Sequence, residues 1–296
     1  MTARNEKAKP DAASEPVRTN ANAVESPATK RMLAPFAAER AVDLTAFIGQ
    51  WPFRLPVRAS AGDLSAMADR LGLGALCVSH IASIFGFDTR TGNEELLRET
   101  AGDERLLPFA IVNPAEAGWE RELDWAAGAG ARGIRLVPGY HRYGLAEAAA
   151  AGLVDRLARY GLPLHLCVRL EDERLVHPRY PVVPVPFHEV AELLRRAGEL
   201  PVILSGLRAS EWKSVAEHLN DGEQADRVLL DLWFANGPIG VVASLCRGNA
   251  WTRFGYGSCA PIQVPEATAL QLAAADIAPE RRAALCRGNA AALLGL

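Results

Sequence analysis

Histidine and cysteine are scarce in this 296-residue chain, with six His and five Cys. Any catalytic metal centre has to be built from that small stock. The cysteines, Cys77, Cys167, Cys246, Cys259 and Cys286, are odd in number, widely spaced and set in apolar runs, with no Cys-x-x-Cys pair. That excludes a disulfide framework and a zinc ribbon, and it points to a reducing, cytoplasmic setting. No apolar run reaches the ~18 residues of a membrane span, and Met1–Lys7 begin no apolar signal core, so no membrane partner is expected. A formal net charge of −3 leaves no basic footprint for nucleic acid. No Gly-x-Gly-x-x-Gly turn follows the first strand candidate, so an open dinucleotide-binding sheet lacks its signature.

What is present is apolar: 49% of the residues are hydrophobic, ample for one large core. Residues 1–38 are the exception. They are rich in Ala, Pro, Glu, Ser, Thr and Lys, with Leu33 and Phe36 as late anchors. Such a stretch buries too little surface to offset its ordering entropy, and it reads as a disordered tail. From there to the end, near-continuous apolar runs predict strands over 41–48, 75–80, 106–113, 132–137, 163–168, 201–205, 228–233 and 252–258. Amphipathic segments separate them, at 63–71, 93–101, 117–129, 145–160, 188–198, 210–219, 238–247 and 265–276, and a last helix covers 279–293. Eight strand–helix units over 39–296 predict an α/β fold, a (β/α)8 TIM barrel, as one domain. The sequence Cys-Arg-Gly-Asn-Ala occurs twice, at 246–250 and 286–290, and reads as two helix stops.

In such a barrel the chemistry sits at the C-terminal strand ends. His165 faces inward there and is the candidate acid–base group; a hydrogen-bonded core histidine is the alternative. Arg135 either grips a substrate carboxylate or forms a buried ion pair with Asp231 or Asp43. His141 and Asp231 complete the candidate catalytic set. His80, Trp51, Tyr140 and Arg169 are candidate substrate contacts. The Pro-rich stretch 169–187, stiffened by Pro178, Pro181, Pro184 and Pro186, covers the mouth. It offers His177, Arg179 and Tyr180 to a ligand or a docking surface to another subunit. Trp51-Pro52-Phe53-Arg54 forms a further wall.

Several ordered motifs carry a resemblance. They are Asp43-Leu44-Thr45-Ala46-Phe47, Gly92-Asn93-Glu94, Phe109-Ala110-Ile111-Val112-Asn113-Pro114, Gly130-Ala131-Arg132-Gly133-Ile134-Arg135-Leu136 and the closing Gly288-Asn289-Ala290-Ala291-Ala292-Leu293-Leu294. From about residue 41 onward the chain resembles the amidohydrolase-related, metal-dependent TIM-barrel hydrolases, the branch with decarboxylases and lactonases. The resemblance implies a catalytic metal held by two His on strand 1, a His ending strand 5, a His ending strand 6 and an Asp ending strand 8. Those positions fall here on Thr45, Phe47, Cys167, Gly206 (or Ser205 if the register slips) and Cys259. Asp43, Asn93, Asn113, Gly133, Pro261 and Asn289 are retained.

The expectation is therefore a family-like barrel without the family's metal and with no other cofactor, acting as a non-catalytic binder of a small molecule or of a partner. That partner is another copy in a homodimer or a partner enzyme. The alternative is a metal-independent hydrolase or lactonase acting on a small carboxylate-bearing substrate, with His165 as base. A soft-metal site or redox pair at Cys167 and Cys259, and a nucleophilic Cys259, are weaker readings. The thiols also read as small core groups.

Overall fold

The computed structural model describes residues 26–53, 57–219, 227–234, 237, 240–248 and 250–296. Most of the expected tail, 1–25, lies outside the described residues, as do Arg54 and the start of the helix expected at 238–247.

The tail was drawn too long. Pro27–Ala37 is a helix (α1), started by Ser26, whose hydroxyl accepts the Thr29 N–H at 3.1 Å. Pro at the first helical position loses no bond. Leu33 and Phe36, three residues apart, fall on one face and are buried. Phe36 meets the ring of Tyr256 edge-on, centroids 4.8 Å apart. Two anchors on one face stabilise a helix that its composition alone disfavours.

The body follows the expected alternation. Strand β1 (Val42–Gln50) carries a short antiparallel ribbon, β2 (Arg58–Ala59), at its end. Then come α2 (Ala61–Leu71), β3 (Ala75–His80), α3 (Ala82–Phe85), α4 (Thr89–Thr100) and β4 (Leu106–Ile111). Next are α5 (Trp119–Gly128), β5 (Gly133–Leu136), α6 (Pro138–His141), α7 (Ala148–Leu157) and β6 (Leu164–Cys167). The last third holds α8 (Phe187–Ala197), β7 (Val202–Ser205), α9 (Ala209–Ala216), β8 (Val228–Asp231), α10 (Val241–Leu245), β9 (Phe254–Gly255) and α11 (Pro265–Ala274). Helices α12 (Pro279–Ala283) and α13 (Asn289–Leu294) flank a π-helical turn and close the chain. The single turns α3 and α6 lie in strand–helix connections for which the sequence predicts no element.

β1, β3 and β4 to β9 pair in parallel in chain order. The ends of this curled sheet meet. Leu44 N–H donates to Tyr256 O (3.0 Å), Cys259 N–H to Thr45 O (2.8 Å) and Phe47 N–H to Ala260 O (2.8 Å). The result is a (β/α)8 barrel.

One irregularity shapes its interior. The register of β1 on β3 slips between Asp43 and Ala46. Before the slip Val42 and Leu44 pack with Phe109, Ile203 and Leu229 at the barrel floor. After it Thr45 and Phe47 face inward instead. A bulge re-aims side chains in this way. Asp43 holds it: its Oδ1 accepts the N–H of Thr45 (3.1 Å) and of Ser258 (2.9 Å), fastening β1 to the last strand.

Because Phe36 is fully buried against Tyr256, Phe36→Ala is expected to cost about 3–4 kcal/mol of unfolding free energy. Urea denaturation measures it, and a loss below about 1 kcal/mol shows α1 to be dispensable.

Candidate functional site

The sequence-predicted residues divide into three groups: a polar layer inside the barrel, an apolar plug above it, and side chains on the rim. The polar layer joins Arg135, His165, Thr45, Asp231 and Ser205, all fully buried. Arg135 and His165 are register partners on β5 and β6. Arg135 Nε donates to His165 Nδ1 at 3.2 Å, while Nη1 and Nη2 donate to Ala46 O (3.1 Å) and Cys77 O (3.0 Å). The guanidinium carbon lies 4.5 Å from the centroid of the Phe47 ring. Since Nδ1 accepts, the proton of a neutral His165 sits on Nε2, 3.3 Å from Thr45 Oγ1. Thr45 Oγ1 donates to Asp231 Oδ2 at 2.5 Å, and Ser205 Oγ donates to the same oxygen at 2.5 Å. Trp233 Nε1 donates to Ser205 Oγ (2.9 Å) and Gly206 N–H to Asp231 Oδ1 (3.3 Å). Gly257 leaves room for this carboxylate, since a Cβ there would sit 2.6 Å from Asp231 Cβ.

The electrostatics follow from burial. Desolvation, then the neighbouring Arg135 charge, hold the His165 imidazole well below its ordinary pKa. Burial pushes Asp231 up to about 6, against its hydrogen bonds and the Arg135 charge, which favour the carboxylate. Near neutrality the layer therefore holds Arg135 as a cation, Asp231 as a carboxylate and His165 neutral. Asp43 is pushed up to about 7 by burial, against the Ser258 and Thr45 hydrogen bonds. Its Oδ2 has no partner among the described residues.

The plug closes the layer from outside. Phe47, Trp51, Ile81, Ile84, Ile111, Val137, Tyr140, Cys167, Leu170, Trp233 and Cys259 form one buried apolar cluster. Tyr180 and Val182, from the Pro-rich stretch, pack on it from above. All five cysteines are free and buried. Burial pushes the Cys167 thiol up to about 12 and Cys259 well above its ordinary value. Cys259 takes a left-handed backbone, φ 53°, and its Sγ lies 3.7 Å from Leu170 O. Among the described residues no group of three His, Cys, Asp or Glu side chains converges as a metal site.

Several expected roles need correction. His165 does face inward, but with both ring nitrogens engaged it has no free lone pair for a substrate proton. Arg135 pairs with neither a substrate-facing opening nor a carboxylate; its hydrogens go to two carbonyls and a ring. His141 stands outside the layer, its Nε2 3.1 Å from Ser83 O and its imidazole pushed down to about 4 by burial. Trp51 and Tyr140 are plug residues rather than pocket walls. Arg169 is held by Glu211 (2.6 Å) and Glu173 (2.9 Å) and by Gly206 O. His80 is half-buried, accepting the Ala82 N–H on Nδ1 at 3.1 Å. Ser205, a polar strand end that the sequence offers as an alternative family position, and Trp233, absent from the expected set, complete the layer. Glu171 is buried beside the plug with Oε1 unpartnered among the described residues.

Two measurements follow. Thr45→Val deletes the hydroxyl linking His165 to Asp231 and strands both partners, at an expected cost of about 1–3 kcal/mol; an unchanged urea midpoint contradicts the network. For Asp43 the folded-state value lies above the unfolded one, so its stabilising contribution is full below about pH 4 and disappears as pH rises through about 7. Asp43→Asn lacks that slope. Relative to wild type it gains on the order of 4 kcal/mol between about pH 4 and 8. Parallel stability–pH curves for the two proteins overturn the assignment.

The comparisons bear on family and fold. The sequence profile described as Amidohydrolase matches residues 33–296. No curated protein matches the chain. Among solved structures, the fold is similar to a probable 2-pyrone-4,6-dicarboxylic acid hydrolase from Acinetobacter baumannii (TM-score 0.62, 12% identity, covering 87% of this chain and 100% of that one). It is also similar to 5-carboxyvanillate decarboxylase from Sphingomonas paucimobilis (0.64, 12%, 87% and 99%). A third is a dihydroxybenzoic acid decarboxylase from Polaromonas with bound manganese (0.62, 15%, 86% and 97%). With the barrel, the ordered strand motifs and a profile match over nearly the whole described chain, this protein belongs to the amidohydrolase family.

Proposed function

We propose that this chain is an amidohydrolase-family barrel without metal-dependent catalysis, and that it works by binding at the mouth of its barrel. The observation that carries this reading is the Arg135 guanidinium, donating to His165 Nδ1 in the centre of the polar layer. A fixed cation there repels a divalent one, and it occupies the lone pair that the one buried histidine in the layer would offer a metal.

The positions that correspond to family ligands point the same way. Thr45 spends its proton on Asp231 and Phe47 stacks on the guanidinium. Cys167 and Cys259 are kept as thiols by burial, whereas a metal needs thiolates. Gly206, φ +80°, sits where any Cβ would collide with Arg169 O, so no side chain can replace it without moving that backbone. These residues do not fit the manganese that the Polaromonas relative holds. The alternative, a metal-independent hydrolase using His165, has no supporting observation, because the base is engaged and sealed. A nucleophilic Cys259 is equally unsupported, since its surroundings favour the thiol. No helix among the described residues is long and apolar enough to cross a membrane. Five free buried thiols suit a reducing cytoplasm.

Elemental analysis of protein purified without chelators tests the reading. Zinc and manganese are expected far below one equivalent, with a melting temperature unmoved by EDTA or added manganese. One equivalent of either metal, lost to EDTA together with thermal stability, overturns it.

A further inference from the structure

We infer that residues 172–184 form a lid governed by Glu171: with its carboxyl neutral the lid is seated on α6 over the mouth, and with its carboxylate formed the lid lifts. The inference rests on the reading above, that the protein works by binding at its mouth, and adds how access to that mouth is regulated.

The segment is fixed at its ends and lightly held between them. Leu170 is buried in the plug, and Val185 is buried just ahead of α8. From 172 to 184 no residue is buried. Many of its bonds are local. Leu175 N–H donates to Asp172 O (2.8 Å), Tyr180 N–H to His177 O (2.9 Å), and Arg174 pairs with Asp172 (2.8 Å). The segment can therefore lift while keeping its own shape. Its seat is α6: Tyr180 Oη donates to Tyr140 O (3.2 Å), and Val183 N–H donates to Gly139 O (3.0 Å). The backbones meet so closely there that a Cβ on Gly139 would lie 2.6 Å from Val183 O. Tyr180 and Val182 rest on the plug, and His177 stacks on Phe53 (centroids 5.6 Å, 17°). Glu173 reaches Arg169 (2.9 Å) and Arg208 (3.4 Å), but exposed ion pairs of this kind hold little. A segment with so few buried contacts belongs to the low-stability end of a fold.

Glu171 sits at the base of this segment. It is buried, and its Oε1 has no partner among the described residues. Its neighbours Asp172 and Glu173 both turn to arginines. The titratable group facing it from α6 is Tyr140, a buried phenol that carries no compensating charge. The other charged or titratable groups of the lid and its surface are His177 on the Phe53 ring, Arg179 at the cleft edge and Arg142, 5.5 Å over the Tyr180 ring. None of them favours the carboxylate, and burial pushes Glu171 above its ordinary value. A neutral carboxyl is tolerated in such a place, whereas a carboxylate without a donor is costly. Water returns to it when the adjoining segment lifts. The seated lid therefore holds Glu171 at a higher pKa than the lifted one. Seating is favoured fully at low pH and weakens as pH rises through the seated value.

Hydrogen exchange on the full chain tests this, read by mass spectrometry on peptides spanning 172–184 and corrected for the intrinsic rate at each pH. Between about pH 4 and pH 8, wild-type exchange is expected to rise about threefold or more. Glu171→Gln is nearly isosteric and stays neutral; it also keeps Asp43 and His177, so their titration is common to both proteins. Its segment is expected to remain protected across the range. Gly139→Val, which pushes Val183 off its seat, is expected to exchange fast at both ends. Melting curves confirm that the variants keep the fold. A flat wild-type profile, a rise that Glu171→Gln shares, or wild-type protection in a folded Gly139→Val protein overturns the lid. Metal analysis of the same preparation separates the two claims. Metal-free protein whose segment ignores pH defeats only the lid, while one equivalent of metal lost to EDTA defeats the proposed function.

Discussion

A guanidinium buried inside a barrel is the constraint from which the rest of this centre follows. Arginine does not shed its proton to escape burial, so its surroundings must supply acceptors and compensating charge. Ala46 O on β1 and Cys77 O on β3 take two of the Arg135 donors, tying β5 across the barrel interior. His165 Nδ1 takes a third, which fixes the imidazole in one neutral tautomer. That tautomer points its remaining N–H at Thr45, and Thr45 then passes its own hydrogen to Asp231. Hydrogen bonds from Ser205, Thr45 and the Gly206 N–H, and after them the Arg135 charge, favour the Asp231 carboxylate against its burial. Each member is oriented by the one before, so the layer has one low-energy arrangement. His165 and Asp231, which would be an acid–base pair in an open site, serve here as a spacer and a counter-charge.

The architecture was legible because buried parallel strands write themselves as unbroken apolar runs. All eight expected strands overlap observed ones, though the last, expected at 252–258, is strand only at Phe254–Gly255 after a 3-10 turn at Ala250–Arg253. The misses have local causes. Helix α1 was hidden by its Ala- and Pro-rich composition, although the Ser26-Pro27 start and the Leu33/Phe36 spacing were both present in the sequence. The turns α3 and α6, at four residues each, are too short to show a period. In the site, strand alternation placed His165 inward correctly. What alternation cannot give is a partner 120 or 186 residues away, as Thr45 has in His165 and Asp231. The slip in β1 also reverses which face each residue occupies, and without it Thr45 would point out of the barrel.

The plug gives the residues expected at the strand ends apolar neighbours that the sequence does not reveal. Tyr140, Trp51 and Cys259 do sit at the mouth, as the fold requires. However, their neighbours there are Phe47, Ile111, Leu170 and Trp233, and together they fill the space a substrate would enter. The loop 169–187 then lays Tyr180 and Val182 over the filled mouth.

A polar barrel centre has two stable solutions. One keeps water access, a metal and ligands poised around it. The other bonds the central polar groups to one another under an apolar cover. An intermediate, with some ligands replaced and solvent still admitted, leaves partly satisfied polar groups in a low-dielectric interior, and that is the costliest state. Under the proposed reading, sealing and the absence of metal-binding side chains then go together for a physical reason. Once Phe47 and Gly206 offer no donor, the remaining His165, Thr45 and Asp231 are stable only if bonded to one another under an apolar cover. The Arg135 charge adds to the hydrogen bonds that favour the Asp231 carboxylate.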